Sequence, residues 1–211
     1  MDAQNSEIWT MLGVLSGALG TCAFFPYIRD TLARRTRPER ASWLIWSVMV
    51  SIAFFSQAYE GAIQSLWFVG AQVLGTVLVF LLSVPFGAGA YADRTHRLIF
   101  FIAALGLVLW YFTETAVYAL AITIGIGLLG GSVTVLKAYR DPGSETLSTW
   151  IMASLAALLA IISVGQIDWV VLAYPIYLFV LYAGIVAAIL VGRRRAGFSA
   201  SRPAGAPPTA I

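Results

Sequence analysis

Trp169–Gly192 reads WVVLAYPIYLFVLYAGIVAAILVG, twenty-four residues without a charged side chain. As a helix it would rise about 36 Å, enough to cross a hydrocarbon core that takes roughly 20 apolar residues. Six further charge-free runs occur: Ile8–Ile28, Ala41–Tyr59, Gly61–Ala92, Leu98–Thr113, Thr115–Leu136 and Thr146–Ile167. Only Leu98–Thr113, with sixteen residues, is slightly short; snorkelling flanks or a thinned bilayer absorb that difference. Charged residues make up 11% of the 211, against 60% hydrophobic, and mean hydropathy is +0.85. A soluble domain carries about 25% charged residues. The expectation is an all-α membrane protein of seven transmembrane helices. The composition excludes a soluble enzyme, a nucleic-acid binder and a secreted disulfide scaffold. The single cysteine, Cys22, lies inside the first run and reads as a small buried packing residue.

The thirteen basic residues set the orientation. Arg29, Arg34, Arg35, Arg37 and Arg40 follow span one, and Arg94 and Arg97 follow span three. Lys137 and Arg140 follow span five, and Arg193, Arg194, Arg195 and Arg202 follow span seven. With seven spans all thirteen fall on one side, which the positive-inside rule makes cytoplasmic. The opposite loops hold only acids: Asp2, Glu7, Glu60, Glu114 and Asp168. The N-terminus is therefore expected outside and the C-terminus inside. The N-terminus has no basic segment of the kind that opens a secretory signal, so span one is expected to be retained. Residues 193–211, basic and then rich in Ala, Ser, Gly and Pro, read as a disordered tail. Twelve Arg against one Lys points to a GC-rich coding genome and a bacterial inner membrane.

No connection is long enough for a second domain, so binding must occur among the helices. There is no metal-ligand spacing, phosphate-cradling glycine loop or nucleophile elbow. No cofactor and no catalytic role is expected. His96, the only histidine, sits among Arg94, Thr95 and Arg97 and reads as a solvated loop residue. Span seven has no lysine, which argues against a retinal Schiff base. No span interior holds a charge; Glu114 and Asp168 border spans, where Asp168 suits a helix cap. A charge-free route fits a neutral solute.

The chain also repeats. Ser42-Trp43 opens span two and Thr149-Trp150 opens span six, an offset of 107. The same offset aligns Gly20 with Gly127, Ser47 with Ser154, Ser56 with Ser163, and Val73-Leu74 with Val180-Leu181. Spans one to three then superpose on spans five to seven. Because three is odd, span four is needed to make the triplets parallel, and substrate sites of such transporters lie between repeats near midplane. The organisation is residues 1–86 for the first triplet, 87–114 for a cytoplasmic loop and linker span, 115–192 for the second triplet, and 193–211 for the tail.

The run Phe25-Pro26-Tyr27-Ile28, a basic loop, and Ala41-Ser42-Trp43 resemble the SWEET and PQ-loop superfamily, built as three plus one plus three helices. The resemblance covers roughly Trp9 to Arg193. Tyr27 stands where members carry Gln, and Val133-Thr134 stands at the matching dipeptide of the second repeat. The resemblance implies alternating-access transport of sugars or other small metabolites, with Pro26 as a gating hinge. SWEET-like sugar sites use Asn and Trp; Asn5 is the only Asn here, outside every span.

Midplane positions with hydrogen-bonding groups supply the candidate site. Span two offers Trp46, Ser47 and Ser51; span three offers Gln72; span six offers Ser154; span seven offers Tyr174 and Tyr177 beside Pro175. An amide facing lipid would lack partners, so Gln72 should point inward. Aromatic faces with a few hydroxyls and amides suit sugars or nucleosides. Gln72 and Tyr177 are expected as polar selectors, Trp46 as a wall, and Ser47, Ser154 and Tyr174 as further contacts. Gly13, Gly17 and Gly20, and Gly125, Gly127, Gly130 and Gly131, read as packing seams. Trp9, Trp43 and Trp169, at span ends, read as interfacial anchors. The expected function is uncoupled passage of a small neutral metabolite; the alternative is a non-transporting scaffold or receptor on the same fold. The expected partners are that solute and the bilayer, with no nucleic acid, and homo-oligomerisation is left open.

Overall fold

The computed structural model describes residues 3–59, 63–89, 94–112, 116–165, 167 and 169–200. Glu60, Glu114, Asp168 and residues 201–211 lie outside the described residues, as do the side chains of Ser56 and His96. The described chain is all helical. In order come α1 (Ala3–Cys22), α2 (Phe24–Leu32), α3 (Arg40–Tyr59), α4 (Ile63–Phe86), α5 (Arg94–Tyr111), α6 (Ala116–Arg140), a 3-10 turn (Pro142–Ser144), α7 (Leu147–Ser163) and α8 (Trp169–Ala200). Among the described residues, three helical stretches are long and apolar enough to cross a membrane: Glu7–Leu32, Leu120–Arg140 and Trp169–Gly197. Gly70–Phe86 and Leu147–Ser163 are shorter apolar helices.

The surface is apolar and the interior partly polar, the reverse of a water-soluble fold. Leu74 is 73% exposed and Phe101 66%. Leu98, Leu105, Val108, Leu109, Val170, Val171 and Val180 are exposed as well. Thr31, Glu39, Ser42, Ser83, Thr134 and Glu145 are buried.

Helix contacts follow a pattern. Helix α3 lies on α4 and α7 on α8; α1 and α2 touch α4, while α6 touches α8; α1 crosses α7, and α3 crosses α6. Helix α5 rests mainly on α6. Small residues build the α1–α7 seam. A Cβ on Gly13 would sit 3.8 Å from Ser163 Oγ, and one on Gly20 would sit 3.7 Å from the Ala156 Cβ. Ser16 Oγ donates across the seam to the Ala156 carbonyl at 2.7 Å. By contrast Gly125 is exposed and meets no neighbour among the described residues, so it belongs to no seam they form. Cys22 is also exposed rather than buried, since its side chain faces outward from the end of α1.

The basic segments gather at one end of the bundle. The loop after α2 meets the turn before α7 through Arg37 N to Ser144 O, 2.9 Å. Arg40 Nε reaches the Ser83 carbonyl at 2.9 Å, and Glu39 forms an isolated bridge with Ala88. Arg195 donates to the Tyr139 hydroxyl at 3.1 Å. Helix α8 runs on through Arg193–Arg195 to Ala200, so residues 193–200 are helical and not tail. The backbone at His96 is likewise in the first turn of α5, not in a loop.

Pro26 lies just past the interruption at Ala23 between α1 and α2. Having no N–H, it cannot bond the Cys22 carbonyl one turn back. Ala23 keeps helical angles, φ −62° and ψ −22°, and its N–H still reaches Leu19 O at 3.0 Å. The interruption is a missing hydrogen bond rather than a change of direction. Helix α2 ends at Arg34 in the left-handed region, φ 58°, a position that glycine usually fills.

Candidate functional site: a central cavity

Helices α1, α2, α3, α4, α6, α7 and α8 line a partly open cavity of about 660 Å³, within the range of small-molecule sites. Its walls include Ser16, Gly20, Met49, Val50, Gln72, Thr76, Thr123, Gly127, Ala153, Ala156 and Ala157. Among the described residues, no side chain lining it is charged. Many lining residues pair at the 107-residue offset: Ser16 with Thr123, Gly20 with Gly127, Trp43 with Trp150, Met49 with Ala156, Val50 with Ala157. The pair Trp46 and Ala153 sets a large side chain against a small one, so the cavity is asymmetric within its matched frame.

Four expected site residues meet here: Trp46, Gln72, Tyr174 and Tyr177. The Gln72 amide nitrogen lies 3.7 Å from where a Cβ on Gly20 would be. It points inward from α4 towards α1. The Tyr177 hydroxyl lies against Gly127, where a Cβ would come within 2.3 Å of it. Only glycine lets that ring lie across α6. Tyr174 and Tyr177, one turn apart on α8, lie with their rings tilted by 50° and centroids 5.7 Å apart.

Ser47 and Ser154 do not line the cavity. Ser154 Oγ donates to its own helix at Trp150 O, 2.7 Å, which satisfies a hydroxyl in apolar surroundings. Among the described residues, Ser47 Oγ is buried without a hydrogen-bond partner. A residue that sequence reasoning passed over takes their place. Thr149 lines the cavity, is 4% exposed, and its Oγ1 likewise has no hydrogen-bond partner among the described residues. Its repeat mate Ser42 is fully bonded. Ser42 Oγ lies 2.6 Å from Gly130 O and 3.0 Å from Glu39 Oε2, and accepts from Thr134 Oγ1 at 2.8 Å.

Aromatic rings close the cavity towards the basic end. Trp43 meets Trp46 edge-on at 5.3 Å, and Trp46 meets Trp150 at 6.2 Å. Tyr27 lies 5.0 Å from Trp43 and 5.9 Å from Trp150. Trp43 is only 4% exposed, and its Nε1 donates to the Tyr27 hydroxyl at 3.2 Å. It is therefore a floor residue and not an interfacial anchor. Trp150 of α7 lies against it with ring centroids 6.4 Å apart, a contact that its place at a span end does not reveal. Trp169 is 73% exposed, as an anchor would be, and Trp9 is half-buried against Gly165.

Below the floor lie two buried carboxylates. Glu39 Oε2 accepts from the Ser42 N–H at 2.8 Å. Glu145 accepts from Trp150 Nε1 at 2.9 Å and pairs with Lys137. The sequence signal for both was present: an acid three to four residues before Ser42 and Thr149, on the side otherwise read as basic.

The fold and the site together define a helical, membrane-compatible protein with an uncharged central cavity. Comparison with protein-family models, with curated proteins and with solved structures finds no match to this chain.

Proposed function

We infer that this chain is a seven-span transporter on the SWEET-like three-plus-one-plus-three plan, carrying a small neutral metabolite by alternating access. The observation that carries the reading is the cavity. Uncharged, it is walled by residues that pair at the repeat offset, as expected of a route between two parallel triplets. The helix contacts support the same plan. Exchanging α1/α2, α3 and α4 for α6, α7 and α8 maps α1–α7 onto α3–α6 and α3–α4 onto α7–α8. In this reading Gln72 and Tyr177 select the solute through hydrogen bonds, Trp46 is the apolar wall, Tyr174 and Thr149 complete the contacts, and Pro26 is the hinge. The basic end is cytoplasmic and the N-terminus outside, in a bacterial inner membrane. With no charge in the route, passage is uncoupled. A cavity of this size favours transport over a scaffold, which would need a packed centre.

The test is a binding screen of purified protein across sugars, nucleosides and neutral amino acids, followed by flux in proteoliposomes. A solute that binds and crosses saturably, and loses affinity in Gln72→Ala, bears the reading out. Binding without flux would favour the receptor alternative.

A further inference from the structure

Polar contacts between the two halves crowd at the basic end, and one residue joins them. Lys137, on α6, reaches the Glu145 carboxylate in its own half and the Arg37 carbonyl in the other. Its side chain is 12% exposed and that of Glu145 0%, so the pair is withdrawn from water. Around it the two loops are zipped together. Arg37 N–H donates to Ser144 O at 2.9 Å, and its guanidinium pairs with Asp141. Thr36 Oγ1 and Thr146 Oγ1 are 2.5 Å apart, and Thr146 Oγ1 also donates to Asp30 at 3.2 Å. Above this layer Ser42 bonds Gly130 and Thr134 across the α3–α6 seam. The floor of Trp43, Trp46 and Trp150 rests directly over it.

The contacts differ in what their loss costs. Arg37 and Asp141 are half in solvent, 57% and 46% exposed, and such pairs stabilise little. Lys137 and Glu145 are buried, so parting them leaves charges without compensation unless water enters. Lys137 is also the only lysine. A flexible ammonium can pair with a carboxylate by charge, donate to a carbonyl at the same time, and still withdraw when the loops part.

We propose that Lys137 is the pin of a latch that shuts the basic end of the cavity, and that opening to that side requires its release from Arg37 and Glu145. The inference rests on the two-triplet reading of the fold. Every other polar partner in the layer then acts as a guide that aligns the loops, while Lys137 and Glu145 set the closing equilibrium.

Three single-cysteine reporters in a Cys22→Ala background test this in detergent, where both ends meet reagent. Thr36→Cys, 1% exposed at the loop seam, reports latch opening. Ser163→Cys, on the cavity wall, reports the far mouth. Ile126→Cys, buried on α6 within a separate cluster with Ile45, reports general loosening. Lys137→Gln and Glu145→Gln should each raise maleimide labelling at Thr36→Cys at least tenfold, leave Ile126→Cys blocked and slow Ser163→Cys. Lys137→Arg, which keeps the charge, should stay near the parent rate. Labelling at Thr36→Cys within twofold of the parent in both variants overturns the latch, and so does a parallel rise at Ile126→Cys. A rise at Thr36→Cys with Ser163→Cys no slower upholds the latch but counts against alternating access.

Discussion

Thr149 and Ser42 pair at the 107-residue offset, and they differ in satisfaction. Ser42 has three oxygen neighbours; Thr149 Oγ1 is buried with no hydrogen-bond partner among the described residues. An unsatisfied buried hydroxyl costs about 1–3 kcal/mol. Thr149→Val keeps the shape and removes the oxygen. It should raise the thermal unfolding midpoint in detergent, equivalent to about 1 kcal/mol; a lower midpoint would mean the hydroxyl has a partner. At this scale the sequence was legible where a residue's chemistry alone forces its direction. Gln72 must avoid lipid, and the Trp46, Tyr174 and Tyr177 rings suit a solute wall; all four line the cavity. It was not legible where the answer depends on a partner far along the chain. Ser154 bonds its own helix instead of facing the cavity. Trp43 is buried by Trp150, 107 residues away. Lys137 and Glu145, remote from any span centre, gain their meaning only when Arg37 arrives beside them.

Among the elements, α6 shows how glycine spacing separates seam from surface. A Cβ on Gly127 would collide with the Tyr177 ring, whereas one on Gly125 meets nothing within 4 Å. Gly127→Ala should therefore destabilise by about 1–3 kcal/mol, as overpacking does. Gly125→Ala should be neutral or stabilising by up to about 1 kcal/mol through helix propensity. Chemical unfolding of the two variants checks the opposed signs. The sequence groups all these glycines together, because spacing does not say which neighbour each one faces. The α1–α2 interruption was legible, since proline removes a donor whatever surrounds it. Pro26→Ala supplies that donor and should slow hydrogen exchange of the amides from 19 to 26 several-fold. It should also slow transport while leaving solute affinity nearly unchanged. Equal exchange and equal rates would leave Pro26 a tolerated proline with no hinge role. Val133 holds the matching position in α6, so the two halves should not move equally.

For the whole molecule, helical class and apolar exterior were legible from the charge-free runs, because a lipid-facing surface and a hydrogen-bonded backbone leave few alternatives. Boundaries were less so. The run Arg193–Ala200 continues α8, its helical character masked by triple Arg and small residues. If the chain crosses seven times, all thirteen basic residues fall on one side, and labelling at Glu60→Cys should occur from outside and at Arg94→Cys from inside. Labelling of both from the same side would sink that topology. On the proposed mechanism the cavity opens alternately to the two sides of the membrane. Ala153 lines the cavity and is compact enough to exchange for cysteine without filling the space. In sided vesicles carrying Cys22→Ala and Ala153→Cys, a membrane-impermeant maleimide should label position 153 when added from either side alone. Reaction from one side only, or from neither, would contradict alternating access.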